Sequence, residues 1–261
     1  MTQTQSDKAD KFVALHQLPG VFVMPNPWDA GSAKALAGLG FEALATSSGA
    51  AAGVLGRNDG EITREESLAG ASQVVAATDL PVSADLENGF GDAPETVAET
   101  IRMAAAVGLV GASIEDYSGK ATDHIYDVET ATRRLAAAVQ AARTLPFRFT
   151  LTARAENYLH GHTDLQNTIA RLQAYSAAGA DVLFAPGLPD LAAVRAVCAA
   201  VDKPVNFMVA IKGRSFSVAE LEAAGVKRIS LASSLYRAAM RRMLAAATEV
   251  KEHGTFEYLN L

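Results

Sequence analysis

Short apolar runs alternate with longer stretches of helical pattern eight times along the chain. Several runs are apolar on both faces, as the strands of a buried parallel sheet are. The stretches between them are rich in alanine and keep apolar residues three and four positions apart, which predicts helices such as Pro94–Val107, Val128–Arg143 and Leu165–Ala178. The predicted strands are Val21–Met24, Phe41–Thr46, Pro81–Asp85, Val110–Glu115, Phe147–Thr152, Asp181–Phe184, Pro204–Phe207 and Arg228–Leu231.

The residues between these stretches support the same division. Four glycines follow a helical stretch and precede a strand, where glycine can adopt the left-handed conformation that ends a helix. They are Gly40, Gly108, Gly179 and Gly225. Thr63 and Glu66 have the spacing of a capping box at a helix start.

Eight strand–helix units in about 240 residues predict an α/β fold, a (β/α)8 TIM barrel. We expect one domain over residues 1–261, with an extra amphipathic helix over residues 6–17. A doubly wound sheet is the alternative, but it would need a glycine-rich phosphate-binding turn after an early strand. Gly89-Phe-Gly91 lacks the third glycine of that fingerprint and follows the third strand, so the barrel is favoured.

The amino-acid composition limits which binding partners and which cellular compartment we expect for the protein. The 261 residues are 49% hydrophobic and carry a net charge of -6 without a long Lys/Arg run, which argues against nucleic acid as a partner. The single cysteine, Cys198, lies on the apolar face of a predicted helix and is expected to be an inert core thiol. A polar N-terminus and the lack of an apolar run of about 18 residues predict a cytoplasmic protein that does not interact with membranes.

Acidic residues recur where the predicted strands end. Asp85 and Glu87 come at the end of the third strand, and residues two apart in a strand point to the same side. Their repulsion disfavours that arrangement unless a cation or protons relieve it. Glu115 ends the fourth strand, and Asp59 lies a short loop beyond the second. Because barrel active sites lie at the C-terminal ends of the strands, these four acids predict a site for Mg²⁺ or Mn²⁺, with helix caps and surface acids as the alternative.

Groups suited to an anionic substrate lie at the same end. Arg154 follows the fifth strand, and its planar guanidinium suits a carboxylate or phosphonate, although a simple ion pair with Glu156 is the alternative. Ser47, Ser48 and Gly49 offer N–H groups and hydroxyls near a helix start, as an anion site or as a simple turn.

Other candidates come from the remaining strand ends and from one loop. Trp28 follows the first strand, and Asn206 belongs to the seventh. Lys120 and His124 lie in the polar loop after the fourth strand, which is long enough to cover the site. His160-Gly-His162 has no third ligand nearby, so zinc binding is not predicted there.

Several segments together resemble the isocitrate lyase/phosphoenolpyruvate mutase superfamily. The resemblance runs from about residue 12 to about residue 245, with the motifs in the family's order. The segments are Pro25-Asn-Pro-Trp28-Asp29, Thr46-Ser-Ser-Gly49, Leu55-Gly-Arg-Asn-Asp59, Asp85-Leu-Glu87-Asn-Gly-Phe-Gly91, Ser113-Ile-Glu115-Asp116 and Thr152-Ala-Arg154.

The resemblance implies an α/β barrel that forms homo-oligomers, dimers or tetramers built as dimers of dimers, often with a swapped C-terminal helix. It implies Mg²⁺ near Asp85, with Asp59, Glu87 and Glu115 holding the ion largely through waters. A 2-oxo acid or its enolate is then bound by the metal and the anion-binding residues. The full substrate-binding set is Trp28, Ser47, Ser48, Gly49, Asp85, Arg154 and Asn206, and the catalytic set is Arg154, Lys120, His124 and Glu115.

Two departures limit this resemblance. Lyases that act on isocitrate or methylisocitrate carry a catalytic cysteine after strand four, but Tyr117-Ser-Gly-Lys-Ala-Thr-Asp-His124 has none. Those lyases also tend to carry Glu at the end of strand six, where this chain has Phe184-Ala-Pro186. A Mg²⁺-dependent C–C lyase of a small 2-oxo or 2-hydroxy acid is the first hypothesis. The alternatives are a P–C bond enzyme, either a phosphonomutase or a phosphonopyruvate hydrolase, and a non-catalytic barrel that binds dicarboxylates.

Overall fold

The computed structural model describes residues 3–119 and 125–260. Within these residues eight parallel strands form one sheet in the order β1-β8-β7-β6-β5-β4-β3-β2. The strands are β1 (Phe22–Met24), β2 (Leu44–Ala45), β3 (Val82–Asp85), β4 (Gly111–Glu115), β5 (Thr150–Arg154), β6 (Val182–Phe184), β7 (Val205–Met208) and β8 (Arg228–Ser230).

The sheet curls into a nearly closed barrel. The first and second strands come together where the Ala45 N–H donates to the Pro25 carbonyl at 3.1 Å. Helices alternate with the strands, so the prediction of a (β/α)8 TIM barrel is confirmed. The helices in the described residues are α1 (Gln5–Gln17), α2 (Ala30–Gly38), α3 (Ser48–Val54), α4 (Arg64–Ala76), α5 (Pro94–Ala106), α6 (Val128–Arg143), α7 (Leu165–Ala177), α8 (Leu191–Ala200), α9 (Val218–Ala223) and α10 (Ser234–His253).

Local sequence signals account for several element ends. Thr63 and Glu66 form the predicted capping box at the start of α4. The four predicted glycines all adopt left-handed backbone, with φ values of 88°, 94°, 102° and 93° for Gly40, Gly108, Gly179 and Gly225. These glycines turn the chain from a helix towards the next strand without the steric cost of a Cβ atom.

Two strands differ from the prediction by more than one residue at an end, and the other six by at most a single residue at either end. The strand expected over Phe41–Thr46 is only Leu44–Ala45. The strand expected over Phe147–Thr152 begins and ends later, at Thr150–Arg154, because it pairs in register with β4 from Gly111 to Glu115. This shift makes Arg154 the last residue of a strand and places it beside Glu115.

The N-terminal helix is the extra helix that the sequence predicts. Phe12 and Leu15 of α1 are buried against Phe22 and Val110, which lie at the starts of strands, so α1 packs on that end of the barrel. The C-terminal helix α10 differs, since none of its 20 residues is buried in the single chain. Among the described residues no helix has the length and apolar character to cross a membrane.

Candidate functional site

A cavity of about 610 Å³ opens at the C-terminal ends of the strands. It is the place where the sequence predicts the site, and most of the predicted residues meet there. The candidates in its wall are Ser47, Ser48, Asp59, Asp85, Glu87, Glu115, Arg154 and Asn206.

Arg154 lies among the carboxylates of this cavity. Its Nη1 is 2.8 Å from Asp85 Oδ1 and 3.3 Å from Glu115 Oε2, and its Nη2 is 2.9 Å from Glu156 Oε1. Burial alone would lower the pKa of Arg154, but the three carboxylates raise it well above its usual value. The guanidinium therefore stays charged and offsets part of the negative charge that surrounds it.

Glu87 joins this cluster because its backbone has an unusual conformation. The third strand ends at Asp85, and Glu87 has φ +49°, so strand pleating does not explain why both carboxylates meet. The turn is fixed by two hydrogen bonds, from Glu87 N–H to Asp85 Oδ1 at 3.3 Å and from Glu115 N–H to the Glu87 carbonyl at 2.9 Å. A non-glycine residue in this conformation costs about 1–3 kcal/mol and is typical of functional sites.

Crowding of like charges shifts the acids towards the protonated form. Burial and the charges of Asp85 and Asp59 raise the pKa of Glu87 to about 7, against the opposing effect of Arg154. Burial, with the charge of Asp85, also raises the pKa of Asp59. The pKa of Glu115 is raised well above its usual value by burial, because Arg154 only partly offsets that cost. One cation is therefore too few for this many carboxylates.

The donor set fits a hard divalent cation held through water. All four acids offer oxygen ligands, which Mg²⁺ prefers, and the buried Glu87 Oε1 has no hydrogen-bond partner. Across residues 3–119 and 125–260, no three His, Cys, Asp or Glu side chains are close enough to enclose a metal directly. Mg²⁺ usually keeps several waters, so the arrangement fits an ion that contacts the protein at few points.

The predicted anion-binding loop is only partly free to bind an anion. Ser48 uses its N–H and its Oγ on Asp85 Oδ2, at 3.4 Å and 3.1 Å. Ser47 is the N-cap residue of α3, and its side chain makes no cap hydrogen bond. Gly49 lies behind the wall, where an added Cβ would be 3.1 Å from Asp59 Oδ2. Trp28 is also outside the wall and packs edge-on against Tyr236.

A buried hydrogen-bond network around Asp116, the residue that follows β4, was not predicted from the sequence. Asp116 accepts hydrogen bonds from the Glu156 N–H at 2.8 Å, from Arg171 Nη1 at 2.9 Å and from the Tyr175 hydroxyl at 2.6 Å. These bonds fix the backbone at Glu156 and so the partner of Arg154. The only sequence signal was an acidic residue next to Glu115, and nothing local shows that α7 supplies its partners.

Lys120, His124 and Cys198 are the remaining residues singled out from the sequence. Lys120 and His124 lie outside the described residues, so their assignment to proton transfer stays a prediction. Tyr117 and His160 stack with ring centroids 3.8 Å apart, and both line the cavity. Cys198 is partly buried, and burial raises the pKa of its thiol to about 11, which agrees with an inert thiol.

Comparison with known proteins gives consistent matches over nearly the whole chain. A family model described as phosphoenolpyruvate phosphomutase matches residues 12–251. A solved structure from Burkholderia cenocepacia, provisionally named a lyase/mutase, has TM-score 0.96 and 55% identity over 98% of this chain and 92% of that chain. Another from the same organism, provisionally named a phosphonomutase, has TM-score 0.88 and 38% identity over 94% of this chain and 99% of that one. The 2-methylisocitrate lyase of Salmonella typhimurium is 31% identical over 226 residues, 83% of this chain and 75% of the lyase.

Proposed function

This chain belongs to the phosphoenolpyruvate phosphomutase family, and we propose that it is a Mg²⁺-dependent lyase that cleaves a C–C bond in a small 2-oxo or 2-hydroxy carboxylic acid. The family match confirms the superfamily that the sequence motifs resemble. The kinship with 2-methylisocitrate lyase supports carbon–carbon cleavage as the reaction class.

The observation that carries the proposal is the charge arrangement at the cavity. Asp59, Asp85, Glu87 and Glu115 line one space, with Arg154 as their shared cation. Buried carboxylates that repel one another are costly, so their convergence favours the binding of a cation there. A divalent cation with an anionic substrate supplies that compensation, whereas a dicarboxylate alone would add negative charge.

Each residue has a distinct part in this proposal. Asp85, with Asp59, Glu87 and Glu115, would hold Mg²⁺ mainly through water, and the ion would supply electrostatic stabilisation of an enolate-type oxyanion. Glu156 holds one edge of the Arg154 guanidinium, and the Nη1 side, which pairs with Asp85 and Glu115 in this structure, would turn to the substrate carboxylate. The Ser47 hydroxyl donates a hydrogen bond to the same carboxylate. These fixed donors need little reorganisation during the reaction.

Bond cleavage in a 2-hydroxy acid follows a retro-aldol course. The hydroxyl loses its proton and becomes the carbonyl of a 2-oxo acid, while the electron pair of the broken C–C bond moves to the leaving fragment. That fragment then takes up a proton at carbon. Lys120, His124 or a water moves these protons in our proposal, since the loop has no cysteine.

A panel assay tests the reaction class. We expect purified protein with Mg²⁺ to release a 2-oxo acid from at least one small 2-hydroxy di- or tricarboxylate, detected as its phenylhydrazone, and EDTA to abolish the release. The absence of any metal-dependent carbonyl product across such a panel would contradict the lyase proposal.

A P–C bond enzyme is the second candidate, favoured by the 38% identical structure provisionally named a phosphonomutase. Phosphonopyruvate separates the two activities, because ³¹P NMR follows either rearrangement to a phosphate ester or release of phosphate. A change in the phosphorus spectrum with no C–C cleavage in the panel would replace the first proposal by this one.

We further propose that the chain forms a homo-oligomer through its C-terminal segment. None of the residues of α10 is buried in the single chain, and Met243, Leu244, Phe256 and Leu259 are exposed apolar side chains on or just beyond it. Light scattering after size exclusion should give a dimer or tetramer. A monomer at micromolar concentration would contradict this part of the proposal.

A further inference from the structure

Arg228 lies inside the barrel and is the first residue of β8. It is 3% exposed, yet it belongs to the wall of the same cavity that contains the acidic cluster. The sequence pattern predicts an apolar strand there, and a guanidinium inside it needs a physical reason, because burying a charge costs several kcal/mol unless it is compensated.

The partners of Arg228 are all neutral. Its Nε donates to Asn206 Oδ1 at 2.8 Å, and its Nη2 donates to Thr152 Oγ1 at 3.0 Å. Its Nη1 is 3.2 Å from His16 Nε2. The other ring nitrogen of His16 is 2.8 Å from the Phe12 carbonyl and must carry the proton, so Nε2 accepts from Arg228 and the ring is neutral.

No carboxylate in the described part of the chain pairs with this guanidinium, whereas buried Arg154 and Arg171 each contact at least one. Three of the roughly five N–H groups of an arginine are used by the neutral partners, so two remain. Burial is the sole cause that lowers the pKa of Arg228, to about 9, and the side chain remains charged at neutral pH. The positive charge thus lacks a counter-charge.

The cavity beside the Arg228 guanidinium offers space and further hydrogen-bond donors. The lumen of such a barrel is usually filled by bulky branched side chains, but here Ala45, Ser83 and Ser113 line the cavity. Ser113 is the register partner of Thr152, which contacts Arg228. Ser83 and Ser113 thus bring two hydroxyl groups, each a potential hydrogen-bond donor, to the cavity lining.

We propose that the floor of the cavity is a binding site for a small anion, with the Arg228 guanidinium as its charge and the Ser113 hydroxyl as a further donor. Thr152 lies two residues before Arg154 on β5, so this floor is about 6–7 Å deeper than the Arg154 layer. The anion is either a free inorganic ion or the distal carboxylate of an organic acid whose other end lies near Arg154. Because the site needs neither Mg²⁺ nor turnover, it does not depend on the proposed lyase function.

Bromide is the probe for the site, since its anomalous scattering identifies it in a crystal. Metal-free wild-type crystals soaked in sodium bromide should show an anomalous peak within hydrogen-bond distance of an Arg228 Nη atom. Arg228→Met should lose that peak, and Arg228→Lys should keep it because the charge is retained. A floor without bromide in the well-ordered wild-type protein would overturn the proposal, and this result needs no variant to fold.

A solution measurement adds a second readout. At constant ionic strength the urea midpoint of wild type should rise when gluconate is replaced by bromide, and that of Arg228→Met should not. Arg195→Met removes the same charge from an exposed position on α8 and should respond as wild type does. Equal responses of all three proteins would contradict the site.

Competition identifies the source of the anion. Displacement of the floor bromide by succinate, with no displacement by an equal concentration of acetate, supports the site and assigns it to the distal carboxylate of an organic acid. Retention of bromide against both acids supports the site and assigns it to a free inorganic anion. Either result can be obtained with a protein that is inactive on every lyase substrate.

Discussion

The Arg154 guanidinium lies 2.8 Å from the Asp85 carboxylate and so joins two side chains that are 69 positions apart in the sequence. Both are largely buried, with 11% and 17% of their side chains exposed. Since Arg154 also contacts Glu115 and Glu156, one cation serves three carboxylates. The charge balance of the whole site therefore depends on this residue.

Loss of that cation should destabilise the metal-free protein. Arg154→Met leaves buried carboxylates without compensation, and we expect a loss of about 3–5 kcal/mol in the free energy of unfolding by urea. Added Mg²⁺ should recover part of this loss. Arg102→Met is the matched control, because its pair with Glu99 is about half exposed and should be worth less than about 1 kcal/mol. Equal losses in the two variants would show that the Arg154 pairs do not balance the site.

Glu87→Gln should have opposite effects on stability and on metal binding. The variant removes one of several repelling charges, so the metal-free protein should be more stable than wild type at pH 8, where a carboxyl with a pKa of about 7 is ionised. Affinity for Mg²⁺, measured by calorimetry, should fall about tenfold or more. Glu42→Gln removes an exposed charge and should change neither quantity. Unaltered Mg²⁺ affinity in Glu87→Gln would remove this residue from the metal site.

His16 should make stability depend on pH. Burial, with the charges of Arg228 and Lys227, lowers its pKa to about 3, against 6.5 for the free side chain. Between these values the unfolded chain binds a proton that the folded protein does not. This contribution to stability is therefore present above pH 6.5 and is lost as pH falls, at about 1.4 kcal/mol per pH unit.

Urea unfolding at pH 7, 6 and 5 checks this prediction by comparing wild type with His16→Gln, whose side chain does not titrate. The difference between the two proteins should change with the stated slope. His253→Gln, at the exposed end of α10, should follow wild type. Parallel pH profiles for wild type and His16→Gln would contradict the prediction, because they would mean that His16 binds its proton equally in the folded and unfolded protein.

The sequence was sufficient for the barrel because its signals are local. Hydrophobic periodicity separates strands from helices, and Gly40, Gly108, Gly179 and Gly225 mark where helices end. The ends of β5 could not be read in this way, because they depend on pairing with β4. Hydrophobic periodicity along one strand gives no information about its register with the neighbouring strand.

The meeting of the strand-end residues was predictable, but the connections between them were not. Residues at strand ends converge in any barrel of this kind, which is why Asp85, Glu115 and Arg154 meet. The links that Asp116 makes to α7, and the contact of Arg228 with Thr152 across the lumen, depend on side chains from distant elements. No spacing in the sequence indicates them. The apolar context of Arg228 was the one available signal for a functional residue at the floor.

The central claim is that the acidic cluster holds a divalent ion that in turn binds a small organic acid. Oxalate, a mimic of enolpyruvate, tests it most directly by calorimetry with and without Mg²⁺, comparing wild type with Asp85→Ala and with Asp10→Ala as the control for an exposed charge. The account predicts oxalate binding only with Mg²⁺ in wild type and in the control, and none in Asp85→Ala. Full metal-dependent binding in Asp85→Ala, or equal binding by wild type without Mg²⁺, would contradict it.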